Sequence, residues 1–269
     1  MSRIIEIKDL SAAELMPYTN MSEQNLLSWK VTEYGIFIAE SPKVIRTALE
    51  NGFEPLSFLT ERKYINGQAS DIFACCGDIP VYTADSTVLE ELTGFRLTQG
   101  LLSVMKRTVL PDAAALLSSC RRIAVLEDIM NQNNVGAIFR SAAALGVDAV
   151  LLSRRCSDPF FRRCVRVSMG TVFQVPWTYL PDPDYIAFLK SNGFSCAAMA
   201  LRNDTIDIRD NRLSDIDKLA IVLGTEGEGL KADTIESCDY TIKIPMSKGV
   251  DSLNVAAASA VAFWQLCQN

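Results

Sequence analysis

The chain has 269 residues, 49% of them hydrophobic, with a formal net charge of −6 and no histidine. That length can bury one large core or two moderate ones, and the missing histidine excludes Ser-His-Asp and Cys-His nucleophiles and every histidine-ligated metal centre. The acidic balance argues against a broad nucleic-acid surface, and no window reaches the roughly eighteen apolar residues of a membrane helix.

The opening "MSRIIEIKDL" fits neither a secretory signal nor a basic transit peptide, so a cytoplasmic protein is expected. Up to about residue 110 helices and strands alternate. "PKVIRTALENG" has helical period and a glycine stop, "EPLSFLT" and "IPVYTA" read as strands, and "DSTVLEELTG" reads as a short capped helix. In "MKRTVLPDAAALLSSCRR", Pro111 breaks the pattern and Asp112 is placed to cap a following helix.

From residue 123 the alternation sharpens. The strands "IAVLED" and "DAVLLS" flank the amphipathic helix "NNVGAIFRSAAALG", closed by Gly146, which is the grammar of a parallel sheet. Further strands are expected in "VFQVPW", "FSCAAMAL", "LAIVLG" and "YTIKIP", with helices near 184–192 and 252–266. The eight cysteines form no CxxC and several lie in apolar runs, so they read as reduced thiols.

Between these elements, "RRCSDPFFRRCVR" sets Arg154, Arg155, Arg162, Arg163 and Arg166 against the single Asp158. Such a run can hold phosphates and stack bases on Phe160 and Phe161, or it can be a solvated helix face anchored by two phenylalanines.

Open parallel sheets collect ligands at the carboxyl ends of their strands. Three ends carry unusual text here: "IMNQNNVGAIFR" after "IAVLED", "TEGEGL" after "LAIVLG", and "MSKGVDSLNVAAA" after "YTIKIP". No GxGxxG opens a helix, and the carboxylates of "GTEGEG" would repel a pyrophosphate, so phosphate-bearing cofactors are disfavoured. An adenosine-bearing sulfonium remains compatible.

Together the three segments resemble the SpoU/TrmH branch of the knotted SPOUT methyltransferases, through Asn134-Val135-Gly136 with Arg140 and Gly146, then "LGTEGEGL", then "IPMSKGVDSLNVAAA". The third motif places its glycine one residue later than the family's usual spacing. Residues 1–107 look like the ribosomal-protein-like RNA substrate-binding module that many members place before residues corresponding to 108–269, the methyltransferase domain.

The resemblance implies an α/β fold with a parallel sheet and a C-terminal trefoil knot, homodimers, no metal, and S-adenosylmethionine-dependent 2′-O-ribose methylation of RNA, most often rRNA. A tRNA substrate, a non-catalytic RNA-binding protein of the same fold, or a methyltransferase acting on a small molecule or protein are the alternatives. By the same resemblance Arg140 is the catalytic arginine, with Asn134, Glu226, Ser252 and Asn254 around it. Leu223, Gly224, Thr225, Glu226, Gly227, Gly229, Ile244, Met246, Ser252, Leu253 and Asn254 would hold the methyl donor. The bland readings beside these are caps for Asn134, Ser252 and Asn254, turn chemistry for the glycines, and core packing for the apolar residues. With an RNA substrate implied, Arg154, Arg155, Arg162, Arg163 and Arg166 become the expected RNA contacts.

Overall fold

In the second half of the chain, apolar runs of four or five residues become strands buried on both faces, as a sheet flanked by helices requires. The computed structural model describes residues 3–267 apart from 20, 30, 31, 99, 182, 203, 204 and 250. It divides into two units, residues 1–109 with 160–173, and residues 110–159 with 174–269. Compared with the linear division expected near residue 107, one short segment changes sides.

The first unit contains β1 (Arg3–Glu6), α1 (Glu23–Leu27), β2 (Ile36–Glu40), α2 (Pro42–Glu50), β3 (Pro55–Glu61), α3 (Ser70–Cys75), β4 (Pro80–Ala84), α4 (Ser86–Thr93) and β5 (Leu101–Lys106). Its sheet runs β1-β4-β3-β5-β2, with β5 antiparallel to both β2 and β3 and the other pairs parallel. Pro42 opens α2 behind Ser41, whose hydroxyl accepts from the Val44 amide. Asp85 precedes α4 without a side-chain cap bond, so this helix is closed by the left-handed Gly94 at its end and not, as expected, capped at its start.

The second unit contains α5 (Ala113–Leu117), β6 (Arg122–Leu126), α6 (Gln132–Ala144) and β7 (Ala149–Leu152). The chain then contributes α7 (Arg162–Val167) to the first unit and returns through β8 (Trp177–Tyr179), α8 (Tyr185–Ser191), β9 (Ser195–Met199), β10 (Ile206–Asp207), α9 (Asn211–Ser214), β11 (Leu219–Leu223), α10 (Ala232–Ser237), β12 (Tyr240–Lys243) and α11 (Val255–Cys267). The sheet order is β10-β12-β9-β11-β6-β7-β8, and every neighbouring pair is parallel. Asp112 caps α5 as its position implies, accepting from the Ala115 amide at 2.9 Å.

On one face of this sheet Ile123, Val125, Leu151, Ala198 and Val222 pack with Ile186 and Leu189 of α8. Arg122 is only 5% exposed, and its guanidinium donates to the carbonyls of Leu266 at 2.9 Å and Asp217 at 2.7 Å. A cation is thereby placed on the carbonyl end of α11, where the helix dipole favours it.

Two expectations are corrected. The strand expected in "VFQVPW" covers only its last residue, because Thr171–Phe173 form a 3-10 turn and β8 begins at Trp177. Phe160 cannot stack on a base, because it is 2% exposed. It lies 5.0 Å from the Phe37 ring in a stacked arrangement, with Phe53 at 5.4 Å and Phe173 at 5.9 Å. All eight cysteines are free thiols, and no helix among the described residues is long and apolar enough to cross a membrane.

Because Phe160 fastens the 160–173 segment into the first unit, Phe160→Ala is expected to destabilise that unit by about 3–5 kcal/mol, as large aromatic truncations in cores do. Urea unfolding followed by a probe in the first unit measures the shift, and an unchanged midpoint would contradict the packing.

Candidate active site

Parallel pairing puts the carboxyl ends of β6, β11 and β12 on one edge, and the three unusual segments follow those ends. Asn131, not Asn134, is the N-cap of α6, its side chain accepting from the Asn133 amide at 2.9 Å. Asn134 is therefore free of capping duty inside the first turn, 6% exposed. Its amide donates to Glu226 Oε1. From the third segment Asn254 donates to the same oxygen and approaches Asn134 Oδ1 at 3.3 Å. One carboxylate oxygen thus joins three stretches separated by 92 and 28 residues.

Asn254 also caps α11, its Oδ1 accepting from the Ala256 amide at 2.9 Å. Ser252, expected to share that duty, is exposed three residues before the first residue of the helix and instead lines a neighbouring cavity. Arg140 lies in the third turn of α6, exposed, without a hydrogen bond or ion pair to any described residue. Neither Asn134 nor Glu226 orients it. Six residues along a helix place two side chains well apart in rotation, which separates Arg140 from Asn134.

The Glu226 loop is closed on itself. Thr225 and Gly229 exchange backbone hydrogen bonds at 3.2 and 3.1 Å, and the Glu228 amide donates to Thr225 Oγ1 at 3.3 Å. Gly224 sits where this turn folds back on the strand. A Cβ there would lie 2.4 Å from the Gly229 carbonyl carbon and 2.5 Å from the Leu230 nitrogen, so any side chain must displace backbone. Gly229 adopts φ +73° and faces open space.

The exit of the loop is held from below by Glu127, 1% exposed, at the end of β6. Its carboxylate accepts from the Lys231 amide at 2.8 Å, the Thr234 hydroxyl at 2.5 Å and the Tyr185 hydroxyl at 2.6 Å. Burial, reinforced by this carboxylate, pushes the Tyr185 hydroxyl pKa up. Beside it Asp128 accepts from Ser153 Oγ at 2.7 Å and pairs with Lys231 at 3.0 Å and Arg155 at 3.4 Å. Burial alone would raise the Asp128 pKa, but these partners outweigh it and hold it below the usual carboxylate value.

A cavity of about 360 Å³ opens against the loop. Leu223, Gly224, Thr225, Glu226, Gly227, Gly229, Ile244, Met246, Ser252 and Leu253, all expected to hold a methyl donor, line it. Asn254 does not line it but is tied to Glu226, which does. The residue reading missed Met199 and Ala200 at the end of β9, and also Arg202, Ile242 and Val255. The end of β9 obeys the same strand-end rule as the other three, so the signal was there.

The five arginines divide between the units, Arg154 and Arg155 in the second and Arg162, Arg163 and Arg166 in the first. Arg154 lies over the Tyr179 ring at 4.9 Å. No group of three or more cysteine, aspartate and glutamate side chains among the described residues is placed to hold a metal ion.

A seven-stranded parallel sheet with three loops converging beside a cavity defines an open α/β protein with its candidate ligand site at the carboxyl ends of the strands. The profile of the SpoU rRNA methylase family matches residues 121–264. An uncharacterized tRNA/rRNA methyltransferase from Mycobacterium bovis is 37% identical over 237 residues, covering 87% of this chain and 81% of that protein. The 23S rRNA (guanosine(2553)-2′-O)-methyltransferase RlmP of Bacillus subtilis is 27% identical over 180 residues, 64% of this chain and 71% of that one. The crystal structure of an AdoMet-bound rRNA methyltransferase from Sinorhizobium meliloti superimposes with a TM-score of 0.81 at 20% identity, covering 98% of this chain and 97% of that one. The chain belongs to the SpoU rRNA methylase family, as its three motifs implied.

Glu226→Ala leaves the buried Asn134 amide without its acceptor and Asn254 with only its bond to Asn134 Oδ1, and is expected to cost about 1–3 kcal/mol in urea unfolding, whereas Glu226→Gln keeps an acceptor oxygen and costs less. Equal losses for the two variants would mean that the shared oxygen is not what joins the segments.

Proposed function

We propose that this methyltransferase moves the methyl group of S-adenosylmethionine to a ribose 2′-hydroxyl of RNA, with rRNA as its substrate. The convergence of Asn134 and Asn254 on Glu226 at the wall of the apolar cavity carries this reading. The likeness to the 2′-O-methyltransferase RlmP and to the AdoMet-bound rRNA methyltransferase supports it.

The cavity suits the donor. Leu223, Ile242, Ile244, Met246 and Leu253 offer apolar surface to an adenosine ring, and the open side of Gly229 leaves room that a Cβ would fill. Glu226 and Glu228 at the rim favour a sulfonium over an anion. When bound, S-adenosylmethionine supplies a methyl group on positively charged sulfur.

The residues position and stabilise. A methyl transfer to oxygen requires the hydroxyl held in line, so fixing the loops contributes to lowering the barrier. Glu226 orients the Asn134 and Asn254 amides. Arg140 donates its guanidinium fork to a phosphate oxygen and to the charge developing on the ribose oxygen. The hydroxyl proton passes to that phosphate or to water.

In this reading the C-terminal part forms a trefoil knot, residues 1–109 with 160–173 select the RNA, and Arg154, Arg155, Arg162, Arg163 and Arg166 contact it. Two copies pair through the second unit as a homodimer. The apolar helix α11 keeps Trp264 62% and Val261 40% exposed, which suits burial against a second copy.

Transfer of labelled methyl from S-adenosylmethionine to total rRNA, tRNA and protein tests the substrate, and labelling confined to tRNA or protein would overturn the rRNA assignment. Arg140→Ala is expected to lower turnover about 100-fold or more while leaving donor affinity within about twofold. Gly224→Ala is expected to do the reverse first, abolishing donor binding measured by calorimetry because the loop must open. Trp264→Glu is expected to shift light scattering to the mass of a single chain; an unchanged mass would place the interface elsewhere.

A further inference from the structure

The first unit contains a second cavity, of about 260 Å³, lined by Glu23, Phe95, Arg162, Arg163 and Arg166. Three separate stretches build it. Glu23 stands in the first turn of α1, Phe95 follows the left-handed Gly94 that ends α4, and the arginines stand on α7. Phe95 is half-buried, and its backbone is fixed by Thr93, whose hydroxyl donates to the Phe95 carbonyl at 2.7 Å.

The arginines are not equivalent. Arg162 is immobilised: its backbone amide donates to Glu23 Oε1 at 2.9 Å, its guanidinium pairs with the buried Glu40 at 3.1 Å, and that guanidinium lies 4.3 Å over the Phe95 ring. Arg166, one helical turn further on the same face, is exposed and makes no hydrogen bond or ion pair with any described residue. A chain of net charge −6 thus presents three guanidiniums against one carboxylate at the wall of a small concavity.

Resting on the RNA methyltransferase reading, we infer that this cavity takes one unstacked nucleotide of single-stranded RNA. Its base stacks on the Phe95–Arg162 pair, its amino-bearing edge donates to Glu23, and its phosphate meets Arg166. Each end matches its chemistry. The cavity is smaller than the ~300–1,000 Å³ that encloses drug-sized ligands, which suits a single planar ring. Aromatic rings and guanidinium planes are the surfaces on which unpaired RNA bases stack. A carboxylate rejects phosphate but accepts from base amino groups through either of its two oxygens. Bases paired in an A-form duplex keep these faces covered, so duplex RNA does not fit.

Fluorescence anisotropy of the full chain with labelled single-stranded and duplex oligoribonucleotides tests this. Arg166→Glu is expected to weaken single-strand binding about tenfold and to lower the salt slope by about 0.7, as loss of one phosphate contact does. Phe95→Ala is expected to weaken it about fivefold or more, with Phe95→Tyr restoring it. Glu23→Gln is expected to narrow the preference for oligo(C) over oligo(U). UV crosslinks from 4-thiouridine-substituted RNA are expected at residues 95 and 162–166. Parental RNA binding in the Arg166 and Phe95 variants, with rRNA methylation intact, would overturn the pocket and leave the methyltransferase reading standing. Equal losses on duplex RNA would overturn it in favour of a general electrostatic surface. A parent chain that transfers no methyl to any RNA would remove the underlying reading, and this inference with it.

Discussion

One carboxylate oxygen, Glu226 Oε1, accepts from two amides carried by different segments, and the site depends on that junction. It exists because the sheet is parallel throughout. Parallel strands send all their carboxyl ends to one edge, so loops after β6, β11 and β12 meet there although their sequence separation is large. In an antiparallel sheet neighbouring ends would alternate between edges and the same three motifs would be dispersed.

Two acids with opposite duties stabilise this arrangement. Glu127 is buried and saturated by the Lys231 amide, Thr234 and Tyr185, so it fixes where the loop after β11 re-enters α10. A buried charge with one partner removed is costly, and that asymmetry makes Glu127 a rigid foundation. Glu226 is exposed on the loop itself and can adjust. Between them Gly224 closes the turn by backbone contact too tight for a side chain. The loop is therefore fixed at both ends and acidic in the middle, which is a poor place for a pyrophosphate and a good one for a cation.

Much of this was legible in the residues. Period-two and continuous apolar runs located β6, β7, β9, β11 and β12, and caps at Asp112 and Asn254 fell where their side chains permit. What could not be read required long-range partners. "NQNN" offers several cap candidates, and only the folded turn selects Asn131 and releases Asn134 for Glu226. Val172 and Phe173 have strand propensity, yet the chain turns there, with Gly170 at φ +87° and Phe173 inside an aromatic cluster. The arginine-rich run suggested a solvated face with two anchors. Phe160 is such an anchor, in a core formed by residues more than a hundred positions earlier.

Charge pairing explains how an acidic chain can handle a polyanion. Many of its arginines are spoken for at short range, among them Arg46 by Asp71, Arg62 by Glu6, Arg121 by Asp217, Arg209 by Asp207, Arg212 by Asp210 and Arg162 by Glu40. Arg140 and Arg166 are among the exceptions, one in each unit, exposed and without an ion pair among the described residues. Beyond about 8–10 Å at physiological salt the surface field is screened, so attraction at a distance contributes little to such a chain. Recognition then falls to contacts at a few unneutralised guanidiniums, where a fork meets a phosphate directly. Net charge, read alone, argued against an RNA substrate; the distribution of unpaired cations removes that objection.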